Sequence, residues 1–321
     1  MDAGIVLGKE NRYYQHFLMT QVAIMKYKLD YSQKEIAEKL ALSPMTISRL
    51  IDKAKMIGLV QINVMTPIEN DLDMEKQVAN RYSLKKAIIF KNKHNEDPVA
   101  FVGRAAAYYL DFLIAPNDII GVSSGRTMAQ VIPNLKLPML ENNHNLTVVQ
   151  TEGGFSTSEV FNPVNILQEF VSNAGVKGYL FNLPVYAKSV QAHEALNAHA
   201  LLEPITEEWG KINLALSAVG VSGEESIYRI ANMLTMAEMN ELVAMGAVGS
   251  IYGRWYNMQG NFIDSEVNRR VFGIPVDLVK KIPRRILITA GRHKINAIIG
   301  GLRTNLCDIL ITDDSTAEHL L

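Results

Sequence analysis

The sequence predicts an α/β protein in two parts: an N-terminal winged helix-turn-helix unit over residues 1–65 and a doubly wound, Rossmann-like body over 66–321. Three observations carry this. Apolar residues recur at helical spacing between Tyr14 and Gly58, interrupted by helix-start signals. From Ala87 onward, short apolar runs alternate with longer amphipathic stretches, the pattern of βαβ repetition with strands buried on both faces. Finally, 321 residues with 48% hydrophobic and 20% charged side chains suffice for more than one core, and no low-complexity tract argues for disorder.

In the first part, Phe17, Leu18, Val22, Ile24 and Met25 mark a helix over Tyr14–Tyr27. Ser32 and Glu35 stand three apart as a capping box and open a second helix carrying Ile36, Ala37 and Leu40. Ser43-Pro44 then supplies an N-cap followed by proline at the first helical position. In this third helix Ile47, Leu50, Ile51 and Ala54 face a core, which turns Met45, Thr46, Ser48, Arg49, Asp52 and Lys53 outward. Two short helices joined by a tight turn, the second presenting hydrogen-bonding tips at its start, are the layout that enters a DNA major groove. Beyond Gly58, Leu59 to Val64 alternates like the strand of a small wing.

The body follows a polar linker at Pro67–Asp71. Helices are expected over 72–82, 98–113, 127–135 and 163–174, and strands over 87–90, 119–122, 146–151, 214–219, 286–290 and 309–312. Doubly wound sheets bind ligands beyond the carboxyl ends of their strands. The most informative such loop is Gly121-Val122-Ser123-Ser124-Gly125-Arg126-Thr127, where a glycine turn, successive amides, hydroxyls and Arg126 suit a phosphate. Its residues match neither a dinucleotide fingerprint nor a Walker loop, and an ordinary helix-capping turn would use the same Ser and Thr. Lys294, after the strand ending at Ala290, is placed to reach the same edge.

Charge and cysteine usage bound the partners. Residues 1–65 hold 9 Lys/Arg against 6 Asp/Glu and the remainder 23 against 27, a modestly basic arm on an acidic body. The lone Cys307 cannot form an internal disulfide and fits a reducing compartment. No run of 18 apolar residues occurs and the start lacks a signal-peptide pattern, so a cytoplasmic protein without a membrane partner is expected.

The segment YSQKEIAEKLALSPMTISRLIDKAKMIGLVQINV resembles the DNA-binding region of the SorC/DeoR-type sugar-binding transcriptional regulators. GVSSGRT, TEGG (151–154), LPVYA (183–187), GAVGSIYGRWYNMQG (246–260) and AGRHKINAIIGGL (290–302) resemble their effector domain in the same order, so the likeness spans almost the whole chain. The resemblance implies a body related in fold to phosphosugar isomerases, an inducer that is a sugar phosphate or related polyol, operator DNA as partner, and a dimer or tetramer. It points to Thr46, Ser48 and Arg49 as base-edge residues and Lys53 as a phosphate contact, with Ser43 and Met45 on the same DNA-facing set. For the effector it implies Ser123, Ser124, Gly125, Arg126 and Thr127 around the phosphate and Glu152, Gly153, Gly154, Pro184 and Tyr186 facing the sugar. Lys294 would pair with an anionic group. Ser250 stands where relatives commonly carry Asp, and Ser124 replaces a frequent aromatic, both departures within the expected site.

An isomerase would need a positioned base, and Glu152 is the one carboxylate in an expected ligand loop. His193 and His199 fall on different helix faces, and Asp313-Asp314 reads as a helix start, so neither a metal site nor a bound cofactor is expected. Arg269 and Arg270 read either as ligand contacts or as salt bridges, and the run Tyr252, Arg254, Trp255, Tyr256 as core and subunit interface. The reading is a non-enzymatic regulator of a carbohydrate operon. An isomerase-like enzyme fused to a DNA-binding module, or a regulator sensing a protein partner, are the alternatives.

Overall fold

The computed structural model describes residues 12–60, 68–137, 145–155, 159–197 and 202–321. The chain divides into two compact units, Met1–Pro67 and Ile68–Leu321.

The first unit packs α1 (Arg12–Tyr27), α2 (Gln33–Leu40) and α3 (Pro44–Met56). The capping box forms: Glu35 N–H donates to Ser32 Oγ at 3.3 Å and Ser32 N–H to Glu35 Oε2 at 2.7 Å. Ala41 takes the left-handed conformation (φ 54°) that ends α2 and turns the chain toward α3. Ser43 Oγ then accepts from Thr46 N–H at 3.1 Å, with Pro44 at the start of α3. Ile47 and Ile51 are buried against Val22, Ile36 and Ala37, the face that the helical spacing requires. Where a wing strand is expected, Leu59 and Val60 form a bend, and the rest of that stretch, 61–64, lies outside the described residues.

The second unit contains β1 (Lys86–Phe90), β2 (Ile119–Val122), β3 (Thr147–Gln150), β4 (Lys177–Tyr179), β5 (Leu214–Ser217), β6 (Gly220–Val221), β7 (Ala247–Ile251), β8 (Arg254–Asn257), β9 (Arg284–Ile288) and β10 (Ile309–Asp313). Seven of them form a sheet in the order β1-β10-β9-β5-β2-β3-β4, and every pairing in it is parallel. Both faces are covered: Ala87, Ile89, Leu287 and Leu310 belong to one core, and Ile88, Phe90, Ile286, Ile288 and Ile311 to another. This is why the strand sequences are apolar throughout rather than alternating. No helix among the described residues is long and apolar enough to cross a membrane.

Two features depart from the expected layout. The helix expected over 127–135 is one turn, Met128–Val131, continued by a 3-10 turn, Ile132–Asn134, because Pro133 has no amide to extend the α ladder. A second, antiparallel sheet, β6-β7-β8, was not anticipated. Its β7–β8 hairpin turns on Tyr252 (φ 50°) and Gly253 (φ 77°), a two-residue loop with both residues left-handed.

From β2 the sheet grows through β3 and β4 toward one edge, and from β5 through β9 and β10 toward the other. The loops leaving β2 and β5 therefore diverge at a topological switch point, where a crevice opens at the carboxyl ends of the strands.

Candidate functional site

The crevice is lined by Ser124 to Thr127 after β2, by Ala218 to Val221 after β5, and by Glu152, Tyr228, Ser250, Tyr252 and Lys294, with Glu225 and Ile227. Three of the amides in the loop after β2 have acceptors within the fold. Ser123 N–H donates to the Leu216 carbonyl at 3.0 Å and Gly125 N–H to the Phe161 carbonyl at 3.3 Å. Ser124 N–H donates to Glu152 Oε1 at 2.7 Å. An internal carboxylate thus occupies the Ser124 amide. The cationic side chains remain. Arg126 donates to the Glu225 carbonyl at 2.9 Å, which holds its guanidinium over the crevice.

Lys294 directly precedes the helix Ile295–Arg303 and is only 6% exposed. Its ammonium reaches Thr127 Oγ1 at 3.4 Å. Burial, reinforced by the nearby Arg126 charge, pushes its pKa down to about 8. It makes no ion pair with a carboxylate among the described residues. A buried ammonium without a paired anion is costly, and a bound anion relieves that cost.

Glu152 lies on the opposite side of the loop's hydrogen bonds. Its second oxygen accepts from Tyr228 Oη at 2.9 Å. Burial raises its pKa, opposed by the hydrogen bonds from Ser124 and Tyr228. Tyr228 is fixed edge-on between Phe155 and Trp255. Arg254 lies near enough to act on Glu152 electrostatically, but donates to the carbonyls of Tyr252 and Gly273, each at 3.2 Å.

Of the residues expected to bind effector, the fold brings Ser124, Gly125, Arg126, Thr127, Glu152, Ser250 and Lys294 into one cavity. Ser123, Gly153, Gly154, Pro184 and Tyr186 are not part of its lining. Ser123 Oγ points back into the fold, accepting from Ala218 N–H at 3.2 Å. Gly153 and Gly154 pack on the 183–185 segment instead: Gly154 N–H donates to the Leu183 carbonyl at 2.8 Å, and a Cβ on Gly153 would lie 2.5 Å from the Pro184 carbonyl. Their role is close backbone approach. Tyr186 Oη donates to the Gly253 carbonyl at 2.7 Å, and with Pro184 it lines a neighbouring hollow with Glu238 and Arg270. Tyr252 stands in a recognised segment but reads from sequence as core and subunit interface, and Tyr228 has no motif to mark it. Tyr228 sits in a four-residue helix, Ile227–Ile230, too short to show periodicity.

Other expected positions resolve simply. Arg269 pairs with Asp264 at 2.7 Å and Arg270 with Glu238, the salt-bridge alternative. Trp255 and Tyr256 are wholly buried and leave no surface for a subunit contact, while Tyr252 is a cavity wall. His193 reaches the Val271 carbonyl, and His199 lies outside the described residues. In the first unit Met45, Arg49 and Lys53 are exposed, whereas Thr46 and Ser48 are half-buried. Ser43 and Thr46 hydroxyls bond each other at 2.8 Å, and Lys53 donates to Gln15 Oε1 at 3.3 Å.

The second unit is thus built on one parallel sheet covered on both faces, with a cationic crevice at its switch point, and the first is a three-helix unit. Residues 66–321 match the family described as "Putative sugar-binding domain". The chain is 31% identical over 309 residues to a deoxyribonucleoside regulator of Bacillus subtilis, covering 95% of this chain and 97% of that one. It is 25% identical over 308 residues to a sorbitol operon regulator of Klebsiella pneumoniae, covering 95% and 97%. The crystal structure of the full-length sorbitol operon regulator SorC from Klebsiella pneumoniae shares the fold with a TM-score of 0.70 at 23% identity, covering 95% and 98%. The chain belongs to the SorC/DeoR-type family of sugar-binding transcriptional regulators.

Proposed function

We propose that the chain binds operator DNA through α2 and α3 and that a sugar phosphate, or a related phosphorylated polyol, in the crevice controls that binding. The observation that carries the effector half is Lys294: a buried ammonium beside Arg126 and Thr127 with no carboxylate paired to it among the described residues. A phosphate supplies the missing charge, and Ser124, Glu152 and Ser250 meet the hydroxyls. On the DNA side, Arg49 and Lys53 project from α3 with Met45, while Ser43 and Thr46 hold the start of the helix rather than reading bases. A dimer or tetramer in the cytoplasm presents paired helices to a pseudo-palindromic operator, and the ligand changes their arrangement by binding one arrangement better than the other.

The isomerase alternative needs a free base. Both Glu152 oxygens already accept hydrogen bonds from Ser124 and Tyr228, and the named relatives are regulators. The deciding experiment measures affinity of the full chain for the DNA upstream of its own operon, at fixed salt, with and without a panel of phosphorylated and unphosphorylated sugars. Phosphorylated sugars are expected to shift the affinity and neutral ones not. The reverse result removes the phosphate from this reading.

A further inference from the structure

Four large apolar side chains of α1 stand in water. Tyr14, Phe17, Ile24 and Tyr27 are exposed, Phe17 to 61%, whereas Met19 and Val22 of the same helix are buried. At about 100° per residue the four fall on the side of α1 opposite Met19 and Val22. They form a stripe that the unit's own core cannot use.

The stripe reads alike in both directions. Tyr14 and Tyr27 lie equally far from the midpoint between Thr20 and Gln21, and so do Phe17 and Ile24. A second α1 laid antiparallel about that midpoint sets Tyr14 against Tyr27 of the other copy, Phe17 against Ile24, and Thr20 against Gln21. Thr20 Oγ1 donates to the His16 carbonyl at 2.9 Å, which leaves its lone pairs to accept from the Gln21 amide across the axis. A polar pair within an apolar seam fixes register. The antiparallel sense also opposes the two helix dipoles and separates Lys26 and Lys28 of one copy from those of the other, where a parallel pair would gather all four.

Area decides how such a contact works. Side chains of this size and exposure hide about 350 Å² per copy, or about 700 Å² in all, well under the ~1,200 Å² of a stable interface. Alone, the stripe is too small to hold two copies together. Between units already tethered through their bodies or by one operator the contact becomes effectively intramolecular, and a small area suffices.

We infer that the α1 stripe pairs two DNA-binding units, antiparallel about Thr20 and Gln21, and that its occupant is the α1 of a second copy of this chain. The operator reading above gives this pairing its purpose, while its geometry stands apart from that reading.

The test is disulfide trapping in the full-length protein, with the buried Cys307 left in place. In Tyr14→Cys/Tyr27→Cys the two thiols of one chain lie about 20 Å apart along the helix and cannot join, so a covalent dimer formed under mild oxidation reports contact between copies. The double variant is expected to give at least about fivefold more covalent dimer than either single variant. Equal trapping by Tyr14→Cys alone, the signature of a parallel pair, overturns the inference. So does a lack of trapping in all three variants, which leaves the stripe to the second unit or to another partner. Phe17→Asp, at an exposed position, is expected to keep its circular dichroism and to bind the DNA upstream of the operon about tenfold more weakly. Unchanged affinity in that variant also overturns the inference. Covalent dimer from the double variant, with no binding of that DNA by wild type, upholds the pairing and overturns the operator reading.

Discussion

Two segments of this chain open a helix with the same kinds of residue and use them in opposite ways. At Ser43–Thr46 the serine hydroxyl turns inward to the helix and caps Thr46 N–H, so the segment's polar groups are spent on its own geometry. At Ser123–Thr127 the helix that follows is a single turn, and the amides of Ser123, Ser124 and Gly125 are taken by acceptors from elsewhere in the fold, Leu216, Glu152 and Phe161. What is left over differs accordingly. The first segment presents Met45 to solvent, and the second leaves Arg126 facing a crevice that the buried Lys294 shares. Ser and Thr before a helix thus announce either a cap or a site, and the distinction lies in distant acceptors.

The contrast is broken most severely at Lys294. A ligand at about 100 times its dissociation constant stabilises the native state by roughly 2.7 kcal/mol. Lys294→Ala is expected to lose that thermal shift while retaining operator affinity. The pH dependence sharpens the point. Because the folded pKa of Lys294, about 8, lies below its ordinary 10.5, its charge destabilises the fold fully below pH 8, and that cost is relieved as pH rises from 8 to 10.5. Phosphate affinity must move the other way, falling by up to about tenfold per pH unit above 8 as the ammonium deprotonates. Phosphate affinity flat across that window would remove Lys294 from the site.

A second prediction addresses the exposed side of the comparison. Arg49→Ala is expected to weaken operator binding by about 1–3 kcal/mol and relax base preference, whereas Lys53→Ala should weaken all sequences alike and lower the salt slope by roughly 1. Mobility-shift titrations at several salt concentrations separate the two. The smallest effect belongs to the cap. Ser43→Ala should cost the first unit about 1 kcal/mol without altering ligand binding by the second, read by circular dichroism and by calorimetry on the same sample.

Where local signals dominate, the sequence anticipated the fold closely. The helix Pro98–Leu113, strand β2 and the helix Pro163–Ala174 have the bounds that apolar spacing and a proline at the first turn predict. The short edge strand Lys177–Tyr179 escaped because nothing in Lys-Gly-Tyr is apolar-periodic, and β6 because two residues carry no pattern. The site divides in the same way. Arg126 and Lys294 were legible because each follows a strand's carboxyl end, and Glu152 because the segment TEGG resembles the family's effector domain. Tyr228 was not, since its bond to Glu152 spans 76 positions of sequence. Nor could the occupancy of the Ser124 amide be read, because its acceptor lies 28 residues away.

The hairpin tip at Tyr252-Gly253 has a consequence for anyone redesigning this protein. Two-residue turns of this kind favour Asn-Gly, and a bulky aromatic held at φ 50° gives up stability that asparagine would recover. Its phenol is buried. Yet the same ring walls the crevice. Turn optimisation, a routine path to heat resistance, would here open the chamber that senses the ligand, so at this position robustness and responsiveness are drawn from one reserve.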